Sequence, residues 1–149
     1  MSHTDTALAT AHTEVKAELA RTDTKASLLL AFTGAALAGV WTIATNTHLP
    51  MAALAVGGLG VAVLLVVVGV LLRAVRPNLG GGAGFPLWAT LTPDGIEAHL
   101  SENGKAADIA GLSRIAVAKF TRLQRAIDLT YAAGALLVVA ALIVLGGAA

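Results

Sequence analysis

Charged and apolar positions are sorted along this chain into long blocks. From Ser27 to Leu72 no Asp, Glu, Lys or Arg occurs, and none occurs after Asp128. The first charge-free block is divided by a short polar turn, Asn46–Pro50, into two apolar runs. A helix needs about 20 apolar residues to cross the hydrocarbon core of a bilayer. Ala26–Thr45 and Met51–Leu72 are each long enough, so both are predicted spans. A connection as short as 46–50 makes the two an antiparallel hairpin. The run from Leu129 is the third predicted span and extends to about residue 147 through its terminal glycines and alanines.

The stretches outside the spans carry a different period. Leu8, Ala11, Val15, Leu19 and Thr22 recur at spacings of three and four, which places them on one helical face. Leu112, Ala116, Phe120, Leu123 and Ile127 do the same. Both stripes lead directly into a span, and they are expected to pack together as a helical stalk. Residues 1–7 are polar and lack the basic start of a secretory signal. Between the second span and the second stripe, Arg73 and Arg76 close the span and Pro77 stops it. Leu79–Phe85 reads as a glycine-rich connector, and Phe85, Pro86 and Trp88 as a small aromatic patch. Thr92-Pro93-Asp94 is a helix start: N-cap, N1 and an acid facing the positive helix end. That helix is predicted to run to about Glu102, with Asn103-Gly104 ending it and a longer helix beginning near Ala106.

The fold class is therefore an all-α integral membrane protein with three transmembrane helices. Its expected parts are a cytoplasmic amphipathic helix (1–25), spans at 26–45, 51–72 and 129–147, and a cytoplasmic helical segment at 73–128. All ten lysines and arginines fall in residues 1–25 or 73–125. The bias of basic residues toward the cytoplasmic side then puts the N-terminus inside, the 46–50 turn outside and the C-terminus outside. Composition agrees: hydrophobic residues make up 56% of the 149 and charged residues 13%, about half the charge of a soluble domain. A net charge of +1 points to no nucleic-acid partner. With no cysteine, thiolate metal sites and cysteine nucleophiles are excluded.

No catalytic constellation is present. His3, His12, His48 and His99 have no second histidine at i,i+3 or i,i+4, so no metal site is expected within one chain. The glycines at 80–84 lack the Gly-Lys-Ser/Thr that a phosphate loop requires. Ala31, Ala35 and Gly39 form a small-residue ridge that permits close approach by another helix, although alanine-rich membrane sequence produces such ridges without consequence. Asp128, beside Arg125 at the third span, reads as a surface carboxylate. Asp23 is different. An acid at a cytoplasmic membrane boundary faces anionic lipid, which is unfavourable. It calls for a basic partner, and Lys119 or Arg122 is the available choice.

Two blocks of sequence resemble a known family. D-T-K-A-S-L-L-L-A-F-T-G-A-A-L-A-G (Asp23–Gly39) resembles the first-span signature of the transmembrane effectors of bacterial Pycsar anti-phage systems. L-S-R-I-A-V-A-K-F-T-R-L-Q-R-A-I-D-L (Leu112–Leu129) resembles that family's second block, and Arg76–Pro93 resembles its actinobacterial members. Asp23, Lys25 and Ala26 match the first block; Ser113, Ala116 and Lys119 match the second. The resemblance implies a non-enzymatic effector in the plasma membrane, without a resident cofactor. It implies activation by cyclic UMP or cyclic CMP from a pyrimidine nucleotide cyclase, followed by loss of inner-membrane integrity and abortive infection. Because the chain has no strand-rich segment for a dedicated nucleotide-binding domain, the response that the resemblance implies requires either ligand contacts at Arg21, Asp23, Lys25, Lys119 and Arg122, formed between subunits of a homo-oligomer, or a sensor on a separate chain. The alternative is a membrane scaffold such as a plasmid-transfer component.

Overall fold

The computed structural model describes residues 3–76, 85–99 and 102–146, with side chains described from Thr6 onward in the first helix and from Ala106 onward in the last. The glycine-rich connector and the terminal glycines and alanines lie outside the described residues. The described residues form five helices: α1 (His3–Asn46), α2 (Met51–Val75), α3 (Phe85–Trp88), α4 (Pro93–His99) and α5 (Glu102–Gly146). No strand occurs among the described residues. Three of the helices are long and apolar enough to cross a membrane, with mean hydropathies of 1.8, 2.8 and 2.3 over the most apolar 18 residues of α1, α2 and α5.

The first amphipathic stripe and the first span lie on one uninterrupted helix of 44 residues, and the second stripe and third span on one of 45. No proline or paired glycine interrupts either run in its middle, so nothing in the sequence ends the helical hydrogen bonding there. The sequence expectation differs at one break. Asn103 and Gly104, predicted to end a helix, are themselves helical residues of α5, which is described from Glu102, while α4 is described as far as His99. Asn and Gly suit either end of a helix, so the pair marks the break without telling its side. The predicted start of α4 is present: Thr92 Oγ1 accepts from the Gly95 amide at 3.2 Å, and the Thr92 carbonyl from the Ile96 amide at 2.9 Å.

Two compact units are formed. One consists of residues 1–24 and 76–121, the other of 25–75 and 122–149. In the second unit, residues 47–50 turn α1 into an antiparallel α2. Asn46 Nδ2 donates to the Thr42 carbonyl at 2.7 Å, and the Thr47 amide to that of Ile43 at 3.1 Å, which caps the end of α1. α2 presents Ala53, Gly60, Leu64, Val67, Leu71 and Ala74 as its buried face, at spacings of three, four and seven. Val67 and Leu71 pack with Ala26 of α1 and with Leu123 and Ala126 of α5. Higher along α2, Gly57 faces Ala140, and Gly60 faces Leu137 and Ala133. α2 is thus antiparallel to α5, and α1 and α5 run in the same direction.

The face that α5 buries repeats every seven residues: Ala126, Ala133 and Ala140. Ile127, placed by its spacing on the apolar stripe, is 37% exposed, and Ala126 is buried instead. After Leu123 a step of three (Ala126) and a step of four (Ile127) both stay on the same side of a 3.6-residue helix, so spacing alone does not choose between them. Thr33 is fully buried among apolar side chains, and its hydroxyl is satisfied by the Leu29 carbonyl at 2.8 Å. Thr130 bonds the Ala126 carbonyl in the same way at 2.7 Å. This i−4 bonding lets threonine occupy a span without an unpaired donor.

The outer surface of the second unit is apolar. Phe32, Trp41, Leu59, Leu65, Tyr131 and Leu142 are all more than half exposed. In water such a surface would associate; in lipid it is solvated. The Ala31–Ala35–Gly39 ridge is exposed in this chain, and the close helix approach is made by α2 and α5 instead. A Cβ on Gly60 would lie 3.1 Å from Leu137 Cδ2 and 3.4 Å from the Ala133 carbonyl oxygen, whereas one on Gly69 would meet nothing within 4 Å. Overpacking of this kind costs about 1–3 kcal/mol. Gly60→Leu should therefore unfold in detergent well before Gly69→Leu, which should match or exceed the parent. Equal stability of the two variants would mean that α2 and α5 do not meet at Gly60.

Candidate functional site

The polar chemistry of the chain is concentrated in the first unit, on α1 up to Thr24, α3, α4 and α5 up to Thr121. The stripes read from the sequence are the less exposed faces of its two long helices. Leu8, Ala11, Val15 and Leu19 are half-buried and Thr22 is buried; Leu112 and Phe120 are half-buried and Ala116 is buried. The Thr22 hydroxyl donates to the Glu18 carbonyl at 2.9 Å, which leaves its methyl group for the contact.

At the end of this seam Asp23 finds its partner. Lys119 Nζ donates to Asp23 Oδ1 at 2.6 Å and to Oδ2 at 2.9 Å. The lysine side chain is 17% exposed and the aspartate 44%. Of the two bases that the sequence allowed, the geometry selects Lys119. Arg122 lies one helical turn farther along, exposed, with Nη1 at 3.5 Å from the Arg73 carbonyl oxygen. Arg21 is paired along its own helix with Glu18, at 3.4 Å. Lys25 is exposed. The structure therefore joins two of the five expected contact residues directly and engages two others with different neighbours.

A second buried pair was not foreseen. Asp108 is 2% exposed, and His99 Nε2 stands 3.1 Å from its Oδ1. The two residues are nine apart, one on α4 and the other on α5, so no helical spacing advertised them. The signal available was weaker: a single acid, Asp108, next to apolar Ile109 on the buried side of α5. Nearby in the same unit, Lys16 Nζ lies 5.4 Å from the centre of the Trp88 ring, within cation–π range. His12 Nε2 and Trp88 Nε1 are buried and have no hydrogen-bond partner among the described residues. Among the described residues no group of three or more His, Cys, Asp or Glu is placed to hold a metal ion. The second unit holds a groove of about 280 Å³ lined by Val40, Leu49, Gly57, Ala140 and Val144 among others, all apolar, which suits no charged ligand.

An ion pair with one mostly buried partner lies toward the upper end of the exposed range, about 1 kcal/mol. Asp23→Asn and Lys119→Met should each lower stability by roughly that amount, and the double variant should lose less than the sum. Denaturant titration of the four proteins in detergent checks this. Strict additivity would show that the pair contributes nothing as a pair.

Comparison with known proteins bears on what this unit serves. A family model described as the Pycsar effector protein domain matches residues 7–146. No curated protein and no solved structure gives a significant match. The matched family is not a known catalytic one. The match runs from the first turns of α1 to the last residue of α5 and takes in all three helices able to span a bilayer. On that coverage, this multi-pass membrane protein belongs to the Pycsar effector family.

Proposed function

We propose that this chain is the membrane effector of an anti-phage system, that it responds to cyclic UMP or cyclic CMP made by a pyrimidine nucleotide cyclase, and that its response impairs the plasma membrane and aborts infection. The observation that carries this reading is the family match over nearly the whole chain. Three helices with an apolar outer surface supply a means of acting on a bilayer. The Ala31–Ala35–Gly39 ridge, exposed in a single chain, is a face on which copies of the protein can assemble.

Arg21, Asp23, Lys25, Lys119 and Arg122 act in this reading as a charged collar before the spans. The Asp23–Lys119 pair holds α1 to α5 in the resting arrangement, and the exposed cations face anionic headgroups on the cytoplasmic side. A ligand changes this arrangement only if it binds another one more tightly. The collar is thus where the response is felt.

Cells expressing the protein should lose membrane potential only when an active pyrimidine cyclase is also present, as read by a potential-sensitive dye. An unchanged potential, with the protein confirmed in the membrane and the cyclic nucleotide confirmed in the cell, would favour a membrane scaffold instead. The orientation has its own test, because a chain without cysteine accepts single reporters. A cysteine in place of the exposed His48 should react with an impermeant maleimide in intact cells, and one in place of the exposed Arg114 only after permeabilisation. The reverse pattern would invert the topology.

A further inference from the structure

Three features of the first unit converge on one place. His12 and Lys16 are four residues apart on α1 and share a face. Lys16 Nζ lies over the Trp88 ring, so α3 packs against that same face. His12 Nε2 and Trp88 Nε1 are both buried and, among the described residues, both unpartnered. Buried polar atoms in folded proteins are almost always paired, and an exception calls for a partner that completes it. Two exceptions on elements that touch each other, beside a cation, describe an incomplete site more than two accidents.

We infer that the His12, Lys16 and Trp88 cluster is the binding site for a cyclic mononucleotide. The inference rests on the nucleotide response proposed above and places the ligand contacts on α1 and α3 rather than on the charged collar. Lys16 supplies a cation for the single charge of the cyclic phosphodiester. Trp88 Nε1–H donates to a phosphate or base carbonyl oxygen. His12 Nε2 donates or accepts according to its tautomer. Trp88 adds an aromatic face for a pyrimidine ring. Both unpartnered atoms are closed off from solvent, so the ligand enters only when α3 moves off α1. Binding thus selects an altered arrangement of this unit. A lipid headgroup is a poor occupant, because His12 lies about 20 Å of helix before Ala26, where the first span begins.

The protein contains two tryptophans, Trp41 and Trp88, so Trp41→Phe leaves Trp88 as the sole indole reporter. In the full chain in nanodiscs, added cyclic UMP or cyclic CMP should change Trp88 emission saturably. Lys16→Met and His12→Ala, made in that background, should each weaken the midpoint about tenfold, with the helical circular dichroism of the parent retained. Equilibrium dialysis of the same samples gives total binding independently of the reporter. Nucleotide that binds by dialysis, leaves Trp88 emission unmoved and is indifferent to both variants would overturn this site while leaving the proposed function intact. No binding to the chain, with depolarisation by the cyclase still seen in cells, would overturn the site and put the sensor on another molecule. No binding and no depolarisation would remove both readings together.

Discussion

A peptide group in hydrocarbon has no water to bond, so every amide and carbonyl in a span must be satisfied within the chain. That constraint explains more of this protein than any single contact. It makes each charge-free block a helix without further argument. It requires the threonines inside the spans to bond their own helix, as Thr33 and Thr130 do with the carbonyls four residues back. It also removes the hydrophobic effect as a force between helices in the bilayer, because lipid tails solvate Leu59 or Leu142 as well as a neighbouring helix would. What remains is close packing. The second unit obtains it where glycine and alanine allow backbones to approach, at Gly57 against Ala140 and Gly60 against Ala133 and Leu137.

The first unit obeys the opposite rule. Its helices are amphipathic and weakly apolar, and their stripes are narrow. Polar contacts therefore carry a larger share of its specificity. The Asp23–Lys119 pair closes one end of the seam, and the His99–Asp108 pair fixes α4 against α5. Pairs of this kind contribute little net stability when exposed and penalise misregistered packing strongly when buried. A one-turn slip between α1 and α5 would cost Asp23 its ammonium partner beside a membrane boundary. The pair consequently sets register in a seam whose alanines and valines specify it poorly.

This division of labour decided what could be read from the sequence. The three spans, the 46–50 turn and the N-cap at Thr92 follow from composition and local chemistry, and the structure contains them. Asp23 was legible because an acid at that position is anomalous without a base, and the two possible bases lay on the other stripe. The choice between Lys119 and Arg122 required the rotation of α5, which residue spacing alone does not give. His99 and Asp108 were illegible because their contact joins two helices, where neither helical period applies. Ile127 and Ala126 exchanged places for a related reason: a stripe counted in threes and fours is ambiguous by one position at each step. Local rules located the elements, and the tertiary seam chose which faces meet.

The same division bears on how a ligand could act. Moving a two-state equilibrium from 1:99 to 99:1 takes a differential affinity of about 10⁴-fold, or roughly 5.5 kcal/mol. One lysine and two further hydrogen-bonding groups, worth about 2.5–6 kcal/mol together, reach that in a single chain only when every contact is made in one state alone. Copies that change together add their differential affinities, so two to four bound chains would suffice where one falls short. An effector with a small polar unit on each copy therefore gains a sharper response from assembly. In the proposed reading the exposed small-residue ridge of α1 is the face for such assembly, since α2 and α5 take their close contact elsewhere. On this argument the ridge and the polar unit depend on each other, since a ridge that failed to assemble would leave the whole shift of the bilayer-spanning helices to the ligand contacts of one chain.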